Sequence, residues 1–342
     1  MIDTTEKVKS ELLEAEFYSK PYNFSYTSLN KLITSPMSFY KEYILKERED
    51  EFKKYLLEGT LIHFLILDNA DFDSKFVVMP DSLPSANSIG VVERVFEENS
   101  EKISLDPSLQ LVDFEDEIDD ILTEIGLHQN VKDKAKRVAN IVEPKAEEYF
   151  NVLRSKGRKT VIDSALLDKC SRRADVVKSN PQMRELLGLD LVSDGKKYGV
   201  YNELELSMKP ENDMPFGYKG ILDNMVVDVV NKVVRINDFK TTGKTLVDFP
   251  QSVDFWNYWL QAVIYVKLVK SYLKTILTDE WSIEFRFIVF DKYDQMYAYE
   301  VSKETLKDWH VKFATTEVHA LYHYNSKDYS LPYDFAQGIV KL

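Results

Sequence analysis

Two runs of β-branched residues on either side of Asn231 and Lys232 constrain the fold of this chain more than any other sequence feature. The runs lie in the segment ILDNMVVDVVNKVVRINDFKTTG, and the earlier segment YGVYNELELSM alternates apolar and polar residues. Alternation with a period of two is typical of a half-buried strand, and two such runs around a short polar segment are typical of a hairpin. The sequence therefore predicts a β-hairpin with a further strand upstream.

Helical patterns and more strands surround the hairpin. The segment VDFWNYWLQAVIYVKLVKSYL predicts a long apolar helix, and WSIEFRFIVF and MYAYEVS predict two strands. Further helices are predicted to start near Ser28, to cover Thr60 to Leu67 and to cover Lys303 to Tyr324, and a short strand is predicted from Phe76 to Met79. Strands bracketed by helices favour an α/β fold in which helices cover a sheet.

The composition changes between Ser82 and Gly157, where charged residues dominate segments such as FEDEIDDILTEI. Such segments are typical of surface helices. We predict that the 342 residues form a single domain, 1–342, and that residues 81–157 are a helical lobe inserted into it.

The net charge of the chain restricts how it can bind nucleic acid. A formal net charge of −13 opposes binding over the whole surface, because phosphate contacts need lysine and arginine. DNA binding therefore requires the basic residues to gather in one groove. The candidates for phosphate contacts are Lys31, Arg172, Arg173, Lys219 and Lys244.

Other sequence features concern location and cofactors. The first residues, MIDTTEKVKSELLEAEF, lack the basic and then apolar pattern of a signal peptide, and no later run approaches the ~18 apolar residues of a membrane span. We therefore expect a cytoplasmic protein without a membrane partner. The single cysteine, Cys170, excludes an internal disulfide and a cysteine-ligated metal cluster within one chain.

Asp223, Asp238 and Lys240 lie at the open end of the predicted hairpin. With a two-residue turn at Asn231 and Lys232, Asp223 would lie opposite Lys240. With a four-residue loop, Asp223 would lie opposite Asp238. Either register places the three side chains on the same face, with directly opposed Cβ atoms about 5 Å apart.

Two carboxylates and an ammonium group that converge in this way suit the hydrolysis of a phosphodiester. Carboxylate oxygens bind Mg²⁺ or Mn²⁺, which can lower the pKa of a bound water and stabilise the leaving oxygen. The lysine can orient the attacking water or balance the negative charge of the transition state. The same residues could instead form a solvated ion pair, which would contribute only about 0 to 1 kcal/mol to stability.

Several short motifs follow one another in order along the chain. They are GTLIHFLILDNADFDSKFVVMP from Gly59 to Pro80, then GILD, DFKTT and QAVIY, which begin at Gly220, Asp238 and Gln261. Together they resemble the PD-(D/E)XK nucleases, and most closely the RecE-like and RecB-like exonucleases of phage type. Leu222 stands where that family has the proline of its PD motif. The resemblance implies a restriction-endonuclease-like fold, with a mixed central sheet flanked by helices.

The same resemblance implies a metal site and a catalytic centre. Two Mg²⁺ or Mn²⁺ ions would be held by carboxylates, an imidazole and a main-chain carbonyl. A further carboxylate would come from Glu203, or else from Glu205. The predicted metal ligands are His63, Asp223, Asp238 and the carbonyl of Phe239, and the predicted catalytic residues are Lys240, Asp223, Asp238 and Glu203.

The DNA-binding residues are predicted from the helix that follows the hairpin. Gln261 and Tyr265 are four residues apart and therefore share one face of that helix. In the family that this chain resembles, the corresponding face lies beside the active site and towards the DNA. Thr241, next to Lys240, completes the predicted DNA-binding set.

The predicted function is a magnesium-dependent exodeoxyribonuclease that degrades one strand of linear double-stranded DNA from its 5′ end during recombination or DNA processing. The resemblance also implies a homo-oligomeric ring and a single-strand annealing recombinase as partner, in a bacterial or phage-infected cell. Two alternatives remain open. One is an endonuclease of the same fold that acts on flaps or single strands, and the other is a DNA-binding recombination partner that does not cut.

Overall fold

The structure is a computed structural model, and it describes residues 4–47, 54–68, 71–191, 197–211 and 213–339. The chain divides into two compact units. The first contains Met1–Leu67 and Arg173–Leu342, and the second contains Asp68–Arg172. The predicted insertion, 81–157, falls within the second unit. No helix in the described ranges is both long enough and apolar enough to cross a membrane.

The elements follow one another along the chain. The helices are α1 (Thr4–Tyr18), α2 (Tyr26–Thr34), α3 (Pro36–Phe39), α4 (Lys54–Leu67), α5 (Phe72–Lys75), α6 (Ala86–Glu98), α7 (Ser100–Leu105), α8 (Glu115–Glu124), α9 (Lys134–Ala139), α10 (Pro144–Lys156), α11 (Ser164–Ser179), α12 (Pro181–Leu187), α13 (Phe249–Phe255), α14 (Tyr258–Tyr272), α15 (Lys303–Ser326) and α16 (Tyr333–Ala336). The strands are β1 (Tyr22–Phe24), β2 (Phe76–Met79), β3 (Thr160–Asp163), β4 (Tyr198–Met208), β5 (Phe216–Asp228), β6 (Val233–Thr241), β7 (Ser282–Phe290) and β8 (Met296–Val301). A π-helical turn covers Tyr40–Ile44, and 3₁₀ turns cover Leu111–Phe114 and Leu246–Asp248.

Within the described ranges, six strands form the central sheet of the first unit. They follow the order β1-β5-β6-β7-β8, and β4 also pairs with β5. The β1–β5 and β6–β7 pairs are parallel, whereas the β4–β5, β5–β6 and β7–β8 pairs are antiparallel. The sheet is therefore mixed, and helices flank it, which confirms the predicted α/β fold class.

Helices pack on both faces of this sheet. On one face α14 packs against β4, β5 and β7, and every residue from Trp259 to Val266 in this helix is buried. A helix that is apolar on nearly all sides is stable only inside a core. On the other face α12 contacts β5 and β6, and α4 contacts β6. Because β5 is covered on both faces, it is apolar over most of its length instead of alternating.

The second unit has a core of its own. Strands β2 and β3 pair in parallel, with Phe76 opposite Thr160 and Met79 opposite Asp163. Helix α6 packs against α8 and α10. The fully buried side chains of this core include Val92, Val95, Leu111, Phe114, Ile118, Leu122 and Phe150. The sequence predicted β2, whose four residues are all apolar, but not β3, in which only Val161 and Ile162 are apolar.

The long apolar helix predicted after the hairpin is broken at Asn257. This residue has a left-handed backbone, with φ 56° and ψ 39°, between the end of α13 and the start of α14. Asparagine tolerates this conformation better than most residues. Its Nδ2 donates to Asn30 Oδ1 at 2.8 Å, and its Oδ1 accepts from Trp259 Nε1 at 2.9 Å. The side-chain contacts therefore fix the break.

His323 in α15 is a fully buried histidine. Its Nδ1 lies 2.6 Å from the carbonyl oxygen of Asp328, and since a carbonyl only accepts, Nδ1 carries the hydrogen. Its Nε2 has no hydrogen-bond partner among the described residues. Burial lowers the pKa of His323, and the contacts with Asp328 offset only part of this effect. Protonation would therefore place a charge in the core without a partner.

We expect His323→Asn to reduce the loss of stability at acidic pH. Because the pKa of His323 is lowered in the folded state, the unfolded chain binds more protons as the pH falls through about 6.5, and the free energy of unfolding decreases. Asparagine does not titrate, and its Nδ2 can still donate to Asp328. Urea denaturation at neutral and mildly acidic pH should therefore show a smaller decrease for the variant. An equal decrease in both proteins would contradict this prediction.

Candidate active site

The hairpin adopts the second of the two predicted registers. Asp228 pairs with Val233, so the loop contains four residues, 229–232, and the ladder continues to the pair of Asn224 and Asn237. The two-residue turn is wrong. Beyond Asn224 the main-chain ladder of the hairpin ends, and Asp223 Oδ2 accepts a hydrogen bond from the N–H of Phe239 at 2.7 Å. At the predicted site, the Phe239 N–H is thus bound by a side-chain carboxylate of β5 and not by a main-chain carbonyl of that strand.

Asp238 and Lys240 form a buried ion pair on β6. The Lys240 Nζ lies 2.5 Å from Asp238 Oδ2, and Asp238 is 1% exposed. The other carboxylate oxygen, Oδ1, accepts a hydrogen bond from Gln261 Nε2 at 2.7 Å. The Lys240 ammonium also lies 4.9 Å from the ring centroid of Tyr258, a favourable cation–π geometry. This pair is therefore enclosed and is not a solvated pair at the end of a hairpin.

The surroundings shift the pKa of both partners. Burial raises the pKa of Asp238 to about 6, the Lys240 ammonium opposes this effect, and the charge of Asp223 adds to it. Burial by itself would lower the pKa of Lys240, but the charges of Asp238 and Asp223 outweigh burial and raise it. Lys240 is therefore an ammonium group at neutral pH. It can bind a negative charge but cannot serve as a general base.

His63 reaches the acidic residues from helix α4. Its Nδ1 lies 3.1 Å from Glu203 Oε1, and its Nε2 lies 3.5 Å from Asp223 Oδ2. The ring centroids of His63 and Phe239 are 5.4 Å apart, so the imidazole packs against a side chain of β6. One ligand atom from each of His63, Glu203 and Asp223 lies within 4.8 Å of the other two. An imidazole and two carboxylates at this spacing suit a divalent cation such as Mg²⁺ or Mn²⁺.

The electrostatic environment of His63 also suits a cation. Burial lowers the pKa of this imidazole, but the negative charges of Asp223, Glu203 and Asp238 together outweigh burial and raise it. The negative potential at the ring thus attracts positive charge, which is either a proton or a metal ion. The predicted ligand Asp238 is outside the group formed by His63, Glu203 and Asp223, since its oxygens contact Lys240 and Gln261.

Glu203 has an unusual backbone conformation within β4. Its φ is +49°, although the pairs on either side, Asn202 with Asn224 and Leu204 with Leu222, keep the same register. A left-handed residue other than glycine costs roughly 1–2 kcal/mol. Such strain is enriched at functional sites. Of the two alternatives that the sequence left open, Glu203 is the carboxylate that contacts His63, at 3.1 Å.

Glu205 lies elsewhere. It pairs with Ile221 and lines a cavity of about 610 Å³ beside the site. The same cavity is lined by Ser25, Tyr26, Thr27, Lys219, Gln261 and Tyr265. Hydroxyl, amide and ammonium groups therefore line this cavity together with the carboxylate of Glu205.

Gln261 and Tyr265 contact the site directly. Gln261 Nε2 donates to Asp238 Oδ1 and lies 3.0 Å from the Tyr265 hydroxyl, which donates to the carbonyl of Ile221 at 2.7 Å. Both side chains are buried and also line the cavity. Their contacts position the ion pair and strand β5, a role that the sequence analysis did not assign to them. Thr241 ends β6 opposite Phe290.

The structure distinguishes among the predicted phosphate contacts. Arg173 is 2% exposed and forms ion pairs with Glu58 at 2.5 Å and Asp294 at 2.6 Å, so the prediction for Arg173 is wrong. Lys31 pairs with Glu42. Lys219 lines the cavity beside the site. The sequence did not reveal that Arg173 is buried, because its partners Glu58 and Asp294 are distant in sequence and cannot be recognised from a local pattern.

Comparisons with known proteins include a distant similarity to a solved structure. No protein-family model matches the chain, and no curated protein matches it. Among solved structures, one match is the crystal structure of a protein from Eubacterium rectale described as a "putative exonuclease". The two chains are 10% identical with a TM-score of 0.45, and the alignment covers 100% of this chain and 95% of the other. A similarity at this level does not identify the function of this chain.

Gly220 provides a test of how tightly the site is packed. A Cβ atom at this position would lie 2.7 Å from Tyr265 Cε1, closer than side chains tolerate. Gly220→Ala should therefore displace Tyr265 and lower the free energy of unfolding by about 1–3 kcal/mol, as overpacking of a core does. Gly243→Ala is the matched control, because a Cβ there meets nothing within 4 Å. Equal stability of the two variants in urea denaturation would refute the packing argument.

Proposed function

We propose that this protein is a nuclease that uses Mg²⁺ or Mn²⁺ to hydrolyse DNA phosphodiesters. The observation that carries this proposal is the position of His63, Glu203 and Asp223, whose ligand atoms lie within 4.8 Å of one another, next to the buried pair of Asp238 and Lys240. A bound divalent cation would lower the pKa of a water and stabilise negative charge on the phosphate.

The protein residues would share the remaining tasks. His63, Glu203 and Asp223 would hold the cation, and we keep Asp238 and the carbonyl of Phe239 in the proposed ligand set, with two ions as the expected number. Lys240 is an ammonium group with a raised pKa, so it would orient the attacking water or balance the negative charge that develops in the transition state. Its enclosure favours this role, because electrostatic stabilisation is strongest where water is excluded.

The substrate is proposed from the cavity beside the site. Phosphate contacts position DNA, and aromatic rings can stack on its bases. The cavity offers Lys219 for the first purpose and Tyr26 for the second. With a net charge of −13, the rest of the chain would repel DNA, so that binding would concentrate in this groove.

The finer assignment rests on the sequence resemblance. We propose an exonuclease that degrades linear double-stranded DNA from the 5′ end in recombination or DNA processing, within a homo-oligomer and together with a single-strand annealing recombinase. An endonuclease of the same fold and a DNA-binding protein that does not cut are the alternatives that the following experiment separates.

The test is degradation of linear duplex DNA labelled at either 5′ end, with Mg²⁺, Mn²⁺ or EDTA, beside a covalently closed circle. Metal-dependent loss from the ends with an intact circle is the expected result, and the order of label release gives the polarity. Cutting of the circle would support the endonuclease. No cutting with either metal would overturn the proposal of a nuclease and favour the binding protein.

Replacement of Lys240 should separate binding from cutting. Lys240→Ala removes the ammonium that faces the phosphate, so cleavage should fall by at least about 10²-fold, while DNA affinity and the far-UV spectrum change little. Lys303→Ala is the control, because Lys303 is an exposed lysine at the start of α15. Full activity of Lys240→Ala in the labelled-DNA assay would exclude the proposed role.

A divalent cation should stabilise the folded protein. An ion that binds only the folded state raises the free energy of unfolding by about 2.7 kcal/mol at a hundredfold excess over its dissociation constant. Thermal unfolding with Mn²⁺ should show this increase in the wild type and in His319→Ala, a histidine that stacks on Tyr333 in α16. His63→Ala should lose most of the increase. If Mn²⁺ stabilised His63→Ala as much as His319→Ala, the ion would bind at a site other than His63.

A further inference from the structure

Three asparagines form a continuous hydrogen-bonded ladder across neighbouring strands. Asn237 Nδ2 on β6 donates to Asn224 Oδ1 on β5 at 2.7 Å, and Asn224 Nδ2 donates to Asn202 Oδ1 on β4 at 2.8 Å. The three residues are also direct register partners, Asn202 opposite Asn224 and Asn224 opposite Asn237. The side chains thus reinforce the alignment that the main chain sets.

Each asparagine of the ladder is the sequence neighbour of a site carboxylate. The pairs are Asn202 with Glu203, Asn224 with Asp223, and Asn237 with Asp238. A one-residue slip of any strand would exchange the face of every side chain on it and would carry its carboxylate away from the site. The ladder opposes such a slip at the level of the carboxylates, where the main-chain pairing of β5 and β6 stops.

The ladder is anchored to helices at both ends. Asn202 Nδ2 donates to the carbonyl of Leu67 at 2.8 Å, and Leu67 is the last residue of α4, the helix that carries His63. Asn237 Nδ2 also donates to the carbonyl of Leu186 at 3.0 Å, and Asn224 Nδ2 to that of Leu187 at 3.2 Å. Carbonyls in the last turn of a helix have no partner within it. The amides satisfy these groups and connect α4, three strands and α12.

The burial of the ladder argues for a specific role. Asn224 and Asn237 are 0% exposed, and Asn237 Oδ1 has no hydrogen-bond partner among the described residues. Burial of amides is unfavourable unless they are hydrogen-bonded, and apolar side chains would fill the same interior without this requirement. A connected network of buried hydrogen bonds can fix one arrangement of the strands and helices that it joins, which apolar packing does less specifically.

We propose that Asn202, Asn224 and Asn237 are positioning residues that hold Glu203, Asp223 and Asp238 at fixed distances from one another and from the His63 helix. The expected effect of the ladder on metal affinity rests on the proposed function. Its effect on the position of Asp223 does not, because that position can be followed without any ion through the hydrogen bond from Phe239 N–H to Asp223 Oδ2.

The test compares Asn224→Leu with Val226→Ala. Leucine is close in size to asparagine but breaks the ladder at its centre. Val226 is a buried residue two positions further along the same face of β5, and its truncation lowers stability without touching the ladder. Two properties are measured: the amide hydrogen exchange of Phe239 relative to that of Ile236 on the same strand, and the dissociation constant for Mn²⁺ by titration calorimetry.

In Asn224→Leu, we expect the exchange of the Phe239 amide to increase at least about tenfold relative to Ile236, and Mn²⁺ affinity to fall about 10–100-fold, as when ligand-orienting groups are lost. In Val226→Ala both measures should match the wild type. If the two variants behave alike in relative exchange, the ladder only contributes to packing and the proposal is overturned.

The two proposals fail in different ways. If the wild type neither binds Mn²⁺ nor cuts DNA, the proposed function fails, but the Phe239 exchange still decides whether the ladder positions Asp223. Should Asn224→Leu not fold, Asn202→Ala replaces it, because Asn202 is exposed and its loss detaches the ladder from Leu67. Unchanged relative exchange and Mn²⁺ affinity in that variant would equally overturn the positioning role.

Discussion

Asp238 and Lys240 carry opposite charges inside the core of the first unit, and the arrangement of the site depends on keeping them there. Removing two charges from water is unfavourable unless their mutual attraction and further hydrogen bonds compensate. Gln261 supplies a hydrogen bond to the carboxylate and Tyr258 a ring beside the ammonium. Helix α14 therefore provides both the apolar cover of the sheet and the polar groups that make a buried ion pair stable.

The acidic residues gather where the regular structure of the sheet is interrupted. The main-chain ladder between β5 and β6 ends just before Asp223, and β4 has a left-handed residue at Glu203. At such interruptions carboxylate side chains can turn away from the sheet without breaking a complete ladder. Hydrogen bonds among Asn202, Asn224 and Asn237 join the three strands next to this interruption. The strands are thus regularly paired on one side of the site, and their pairing is irregular at Glu203 and Asp223.

Periodicity explains which parts of the fold could be predicted. Strands β4 and β7 and helix α15 were predicted closely because apolar residues recur with a period of two or lie in long runs with clear ends. Strand β1 was missed because three residues show no period, and the break at Asn257 was missed because aromatic residues continue on both sides of it. The burial of Arg173 was missed because its partners, Glu58 and Asp294, are distant in sequence.

By itself, the sequence determined that Asp223, Asp238 and Lys240 belong to one hairpin, because strand periodicity and loop length leave only a few registers. Only the tertiary structure decided that the loop has four residues, that Glu203 instead of Glu205 faces His63, and that Gln261 contacts Asp238. These contacts join residues from different elements. Their distances depend on how α4 and α14 pack on opposite faces of the sheet, and packing depends on the combined shapes of side chains that no local pattern records.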